Sequence, residues 1–71
     1  MISDTPSKDT KYIVLRSVRH DNVFASPYAS DYDRKRVDNV AGNFIVIAYA
    51  THNEDAKNLV FNLNGKKGKN E

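Results

Sequence analysis

NFIVIAYATHNEDAKNLVFNLNG, residues Asn43 to Gly65, reads in order as a strand, a helix cap, an amphipathic helix and a glycine stop. Asn43 to Ala50 (NFIVIAYA) is the surest strand of the chain. On strict alternation Phe44, Val46, Ala48 and Ala50 line one face, and Ile45, Ile47 and Tyr49 the other. Both faces are apolar, so both need cover: from helices on opposite sides, from a second copy, or from a partner.

Thr51 to Glu54 fits a capping box, with Thr51 as N-cap and Glu54 reaching back. Ala56, Leu59, Val60 and Leu63 then recur at helical spacing, which predicts a helix over about 52–63. Asn64-Gly65 resembles a helix terminus. Phe61 points away from the apolar stripe, so the rival for Leu59 to Asn64 is a strand after a single helical turn.

Working outward, Lys11 to His20 (KYIVLRSVRH) reads as a second strand, His20-Asp21-Asn22 as a turn, and Val23-Phe24-Ala25 as a short return strand. Ser26-Pro27 has the chemistry of a helix start, and Ser30 followed by Asp31 and Asp33 offers another. A helix over about 30–41 would carry Val37, Val40 and Ala41 as its apolar stripe and stop at Gly42. Its rival is a hairpin pairing Arg34 to Val40 with Phe44 to Ala50, which the lack of alternation in 34–40 disfavours. The expected fold is α+β: two to three strands (about 11–20 and 43–50 the surest) with one or two helices packed on the sheet. The expected organisation is a flexible leader at 1–10, one domain at 11–64 and a basic, disordered tail at 65–71.

The chain has 71 residues, no cysteine and a net charge of +2. One small domain without disulfides has a thin margin of stability, and self-association is one way to bury more apolar surface. No thiolate metal site is available, and neither a membrane-length apolar run nor a signal-peptide core is present, which points to a cytoplasmic protein. The mild positive charge permits nucleic acid without implying it. The bias toward Asn, Lys, Asp and Tyr is of the kind found in low-GC genomes such as those of phages.

Candidate chemistry is sparse. His20-Asp21 resembles a general-base pair of the kind a small ribonuclease uses, but adjacent strand residues point apart, and a turn explains both. His52, Glu54 and Asp55 match no metal-ligand spacing and suit a helix start, so no metal and no cofactor is expected. GKKGK at 65–69 departs from a phosphate-binding loop in spacing. Arg34-Lys35-Arg36 is the densest charge cluster; on a helix Tyr28, Tyr32 and Arg36 would share one side. The leading expectation is a non-enzymatic binding or regulatory protein that docks on another macromolecule, in the manner of a phage-type inhibitor of a host complex. Tyr28, Tyr32, Arg34, Lys35, Arg36 and Phe61 are its contact residues, and dimerisation is a further expectation. The alternative is a nucleic-acid-binding module using Arg16, Arg19, Arg34, Lys35, Arg36, Lys66, Lys67 and Lys69. A ribonuclease built on His20 ranks third.

Overall fold

The computed structural model describes residues 2–39 and 41–68. Four strands form one sheet: β1 (Ile2–Ser3), β2 (Tyr12–Ser17), β3 (Val23–Pro27) and β4 (Phe44–Ala50). Their spatial order is β1-β4-β2-β3, with every neighbouring pair antiparallel. Two helices complete the α+β fold, α1 (Asp31–Asn39) and α2 (Asn53–Gly68), and a short 3-10 turn, Ala41–Asn43, leads into β4. The sheet has one strand more than the two to three expected, because Ile2–Ser3 pairs with Ala50 and Tyr49.

The helices take opposite faces of the sheet. On one, Val37 of α1 packs with Ile13, Leu15 and Tyr28. On the other, Ala56 of α2 packs with Val14, Val23 and Ala50, backed by Leu59, Val60 and Leu63. Since Ile13 and Val14 are adjacent on β2, their side chains necessarily point apart, and each face acquires its own apolar cluster.

Strict alternation fails in β4. Val14 stands opposite Ala48 but Leu15 stands opposite Val46, so Ile47 has no opposite residue and forms a β-bulge. The extra residue exchanges the faces of everything before it. Phe44, Val46 and Tyr49 share the α1 face with Ser17, Leu15 and Ile13; Ile45, Ala48 and Ala50 share the α2 face, where Ile47 also packs. The expected grouping of Val46 with Ala48 and Ala50 is therefore wrong, because a period-2 reading has no means of registering a bulge. Beyond the bulge the cover thins: Ile45 remains 48% exposed.

The boundaries of several expected elements also move. β2 ends at Ser17, not His20, since Val18 to His20 form the hairpin loop. The N–H of Ser17 donates to the Asn22 carbonyl (2.9 Å) and that of Asp21 to the Ser17 carbonyl (2.8 Å). Asp21 takes φ 54°, a left-handed conformation that Asp tolerates better than most residues. Ser26-Pro27 closes β3 and does not open a helix. α1 starts at the second candidate: the Asp33 N–H donates to Ser30 Oγ (3.1 Å), while Asp33 Oδ2 accepts from the N–H groups of Ser30 and Ala29 (both 3.2 Å). Desolvation pushes the Asp33 carboxyl upward, but these bonds and the Arg36 guanidinium outweigh it and hold Asp33 below its ordinary value. The hairpin rival for 34–40 fails at this cap. Val40 lies outside the described residues.

The segment before β2, expected as a leader, makes contacts with the fold. Thr10 is buried, its Oγ1 accepts from the Ser7 N–H (2.8 Å), and Arg34 Nη2 donates to the Ser7 carbonyl (3.1 Å). α2 begins one residue later than the capping-box reading, with its first backbone bond from the Ala56 N–H to the His52 carbonyl (3.2 Å). It then runs through Leu59 to Asn64, which removes the strand alternative, and passes Gly65 without stopping. So 65–68 belongs to α2, and 69–71 of the expected tail lies outside the described residues. No described glycine has positive φ, and a Cβ built on Gly65 meets nothing within 4 Å.

This geometry gives a prediction of sign. Gly65→Ala should stabilise the protein by about 0.5–1 kcal/mol, the usual cost of glycine within a helix. A helix ending at a left-handed Gly65 would lose stability on the same change. Thermal unfolding separates the two, because 1 kcal/mol moves Tm by roughly 4–8 °C in a domain of this size.

Candidate functional site

The aromatic-basic segment at 28–36 is not a free binding face. Tyr28 follows β3 and is not on α1; only 8% exposed, it sits in the α1-face core with its ring 5.6 Å from that of Tyr49. The Arg34 guanidinium lies over the Tyr28 ring, 4.7 Å from its centroid. Arg36 Nη2 donates to Ser26 Oγ (2.9 Å), fastening α1 to β3. Tyr28, Arg34 and Arg36 are thus committed to the fold, and the expected alignment of Tyr28, Tyr32 and Arg36 along one helix side does not occur. Tyr32 and Lys35 remain exposed.

The remaining cations are dispersed. Arg16 faces Asp21 (3.8 Å) at an exposed site, where such pairs contribute little. Arg19 and His20 lie on the β2–β3 loop. Lys66 and Lys67 fall on the last turn of α2, and Lys69 lies outside the described residues. His52, Glu54 and Asp55 surround the start of α2. Phe61 is on the opposite side of the sheet from α1, so the six expected contact residues do not converge.

Phe61 has a setting that the sequence did not disclose. A groove of about 700 Å³ runs between α2 and the outer edge of β3, lined by Phe24, Ala25, Lys57, Val60, Phe61 and Asn64 among others. Phe61, 76% exposed, stands at this groove. Volumes of this order are usual for binding clefts.

The edge of β3 is guarded unevenly. The N–H of Tyr28 donates to the Lys11 carbonyl and that of Ser17 to the Asn22 carbonyl, so residues 22, 24, 26 and 28 direct their backbone groups toward β2. By alternation Val23, Ala25 and Pro27 direct theirs outward. Val23 is satisfied by a side chain: Asn64 Oδ1 accepts from its N–H (2.9 Å) and Asn64 Nδ2 donates to its carbonyl (2.8 Å). Pro27 has no N–H to offer, the usual property of proline on an edge strand. Ala25 alone presents both an N–H and a carbonyl without a partner among the described residues, and it does so inside the groove. Pro27 was the available signal for an edge strand; nothing in the sequence singles out Asn64 from Asn58 or Asn62.

No helix among the described residues is long and apolar enough to cross a membrane. Compared with family models, curated proteins and solved structures, the chain matches none of them.

Proposed function

We propose that the protein is a small binding module that takes an extended polypeptide segment of another protein into the groove between α2 and β3. The observation that carries this reading is the coincidence, in one apolar groove, of a mostly exposed Phe61 and the open backbone pair of Ala25. An extended chain laid along β3 would form two main-chain hydrogen bonds with Ala25 and place one apolar side chain against Val60 and Phe61, as in recognition by strand addition. Lys57 on the groove wall favours an acidic neighbour to that side chain. An inhibitory or adaptor role suits a protein that acts by occupying another's segment. The nucleic-acid reading draws less support, because Arg34 and Arg36, two of its central cations, are engaged by Tyr28, Ser7 and Ser26.

The test is selection from a random peptide library against the immobilised protein. Peptides with an apolar residue beside an acidic one should be enriched. Phe61→Ala should weaken the selected peptides by about 2 kcal/mol, roughly 30-fold, as for a central aromatic anchor. Ala25→Pro, tolerated at an outward edge position, should weaken them by removing the donor. Peptides that bind both variants as well as the parent, or no enrichment at all, would defeat the reading.

A further inference from the structure

The two faces of the sheet are unequally covered, and the shortfall forms a second cavity. α2, with 16 residues, is about 24 Å long, while α1, with nine, is about 14 Å. α1 covers Ile13, Leu15 and Tyr28. Toward the β2–β3 loop the same face opens into a cavity of about 440 Å³, within the range of small-ligand pockets.

The lining of this cavity has a consistent chemistry. Phe24 and Phe44 line it as an edge-to-face pair, centroids 5.2 Å apart and planes at 74°, so one ring offers its face and the other its edge. Around them stand Arg19, His20, Asn22 and Asn43, none of whose side chains has a hydrogen-bond or ion-pair partner among the described residues. Among the described residues, no carboxylate lines the cavity. Its frame is held from behind: buried Ser17 accepts at Oγ from the His20 N–H (3.2 Å), and the Val18 N–H donates to the Asn43 carbonyl (3.1 Å). A guanidinium and an imidazole suit an oxyanion, two amides suit the donors and acceptors of a heterocycle edge, and aromatic rings suit a planar ring.

We propose that this cavity binds a nucleoside monophosphate unit, with the phosphate on Arg19 and His20 and the base against Phe24 and Phe44 beside Asn22 and Asn43. The unit is either a free nucleotide or one residue of a single-stranded RNA; both present the same phosphate and ring. The cavity and the peptide groove share Phe24 and no other lining residue among those described.

Amide chemical shifts of the labelled full-length protein, titrated with AMP, adenosine, inorganic phosphate and a hexa-adenylate RNA, test this. AMP or the RNA should shift the amides of Arg19, His20, Asn22, Asn43 and Phe44 in a saturable way, with adenosine and phosphate each at least tenfold weaker than the better of the two. Tighter binding of AMP identifies the free nucleotide as the source; tighter binding of the RNA, falling steeply with salt, identifies a nucleic-acid strand. Arg19→Glu, at an exposed loop position that should leave the fold unaltered, should abolish either response, and Asn43→Ala should weaken it. The proposal is overturned if millimolar AMP and RNA leave these amides unmoved, if phosphate alone binds as well as AMP, if the shifts map elsewhere, or if Arg19→Glu binds like the parent.

Discussion

Ile13→Ala is expected to remove about 2–5 kcal/mol of stability, the range for deleting a large aliphatic side chain from a core. Ile13 is 1% exposed and lies on a central strand, opposite Ser26 on one side and Tyr49 on the other, under Leu15, Tyr28 and Val37. Strands hydrogen-bonded on both sides have little freedom to close over the void, so the cost belongs toward the upper part of that range. Against a total of roughly 4–11 kcal/mol for a chain this long, at about 0.05–0.15 kcal/mol per residue, the variant should lose a large share of its stability. Urea unfolding should show a lower midpoint with an unchanged slope, since the surface exposed on unfolding hardly changes. Ile45→Ala is the informative companion. Ile45 sits in the strand that reads most strongly as core, yet it is 48% exposed and should cost no more than about 1 kcal/mol, in proportion to its partial burial. Equal losses at the two positions would contradict this structure.

Asn64→Ala is expected to cost about 2–3 kcal/mol, a large effect for one amide on a helix. It deletes both hydrogen bonds to Val23 and leaves a part-buried N–H and carbonyl without partners, a loss of about 1–3 kcal/mol for an unsatisfied group. It also reopens the edge of β3 beside Ala25, where unpaired backbone groups template association with other strands. Asn62→Ala on the same helix controls for propensity. Asn62 is exposed and makes no such bond, so alanine there should be neutral or stabilising by a few tenths of a kcal/mol. Hydrogen exchange gives a reading independent of global stability: the Val23 amide should be protected in the parent and exchange faster in Asn64→Ala. If the Val23 amide exchanges alike in both proteins, the tie between α2 and β3 is absent.

Each of these pairs sets chemically identical residues in different tertiary roles, and that is where the sequence ceases to be legible. Ile13 and Ile45 are both strand isoleucines, and only the bulge at Ile47 and the reach of the helices make one core and the other half-exposed. Arg34 and Arg36 formed a cluster on paper because they are close in the chain; in the fold one lies over Tyr28 and the other holds Ser26. Phe61 was visible as a residue out of phase with its helix, so half of the candidate groove could be anticipated. The other half, the open backbone of Ala25, depends on which strand becomes an edge.

Local signals determined what is local. The periodicity of Ala56 to Leu63, the β-branched runs at 12–17 and 44–50, the turn at His20 to Asn22 and the Ser30–Asp33 start together imposed an α+β chain, because helix and strand propensities and caps act over a few residues. Tertiary structure alone decided the strand order, the pairing of Ile2–Ser3, the passage of α2 through Gly65 and the placement of α1 and α2 on opposite faces. Those outcomes depend on contacts between residues far apart in the chain. The Asn64–Val23 tie spans 41 positions. Such a contact forms only when the whole sheet has assembled, so no short window of sequence contains it.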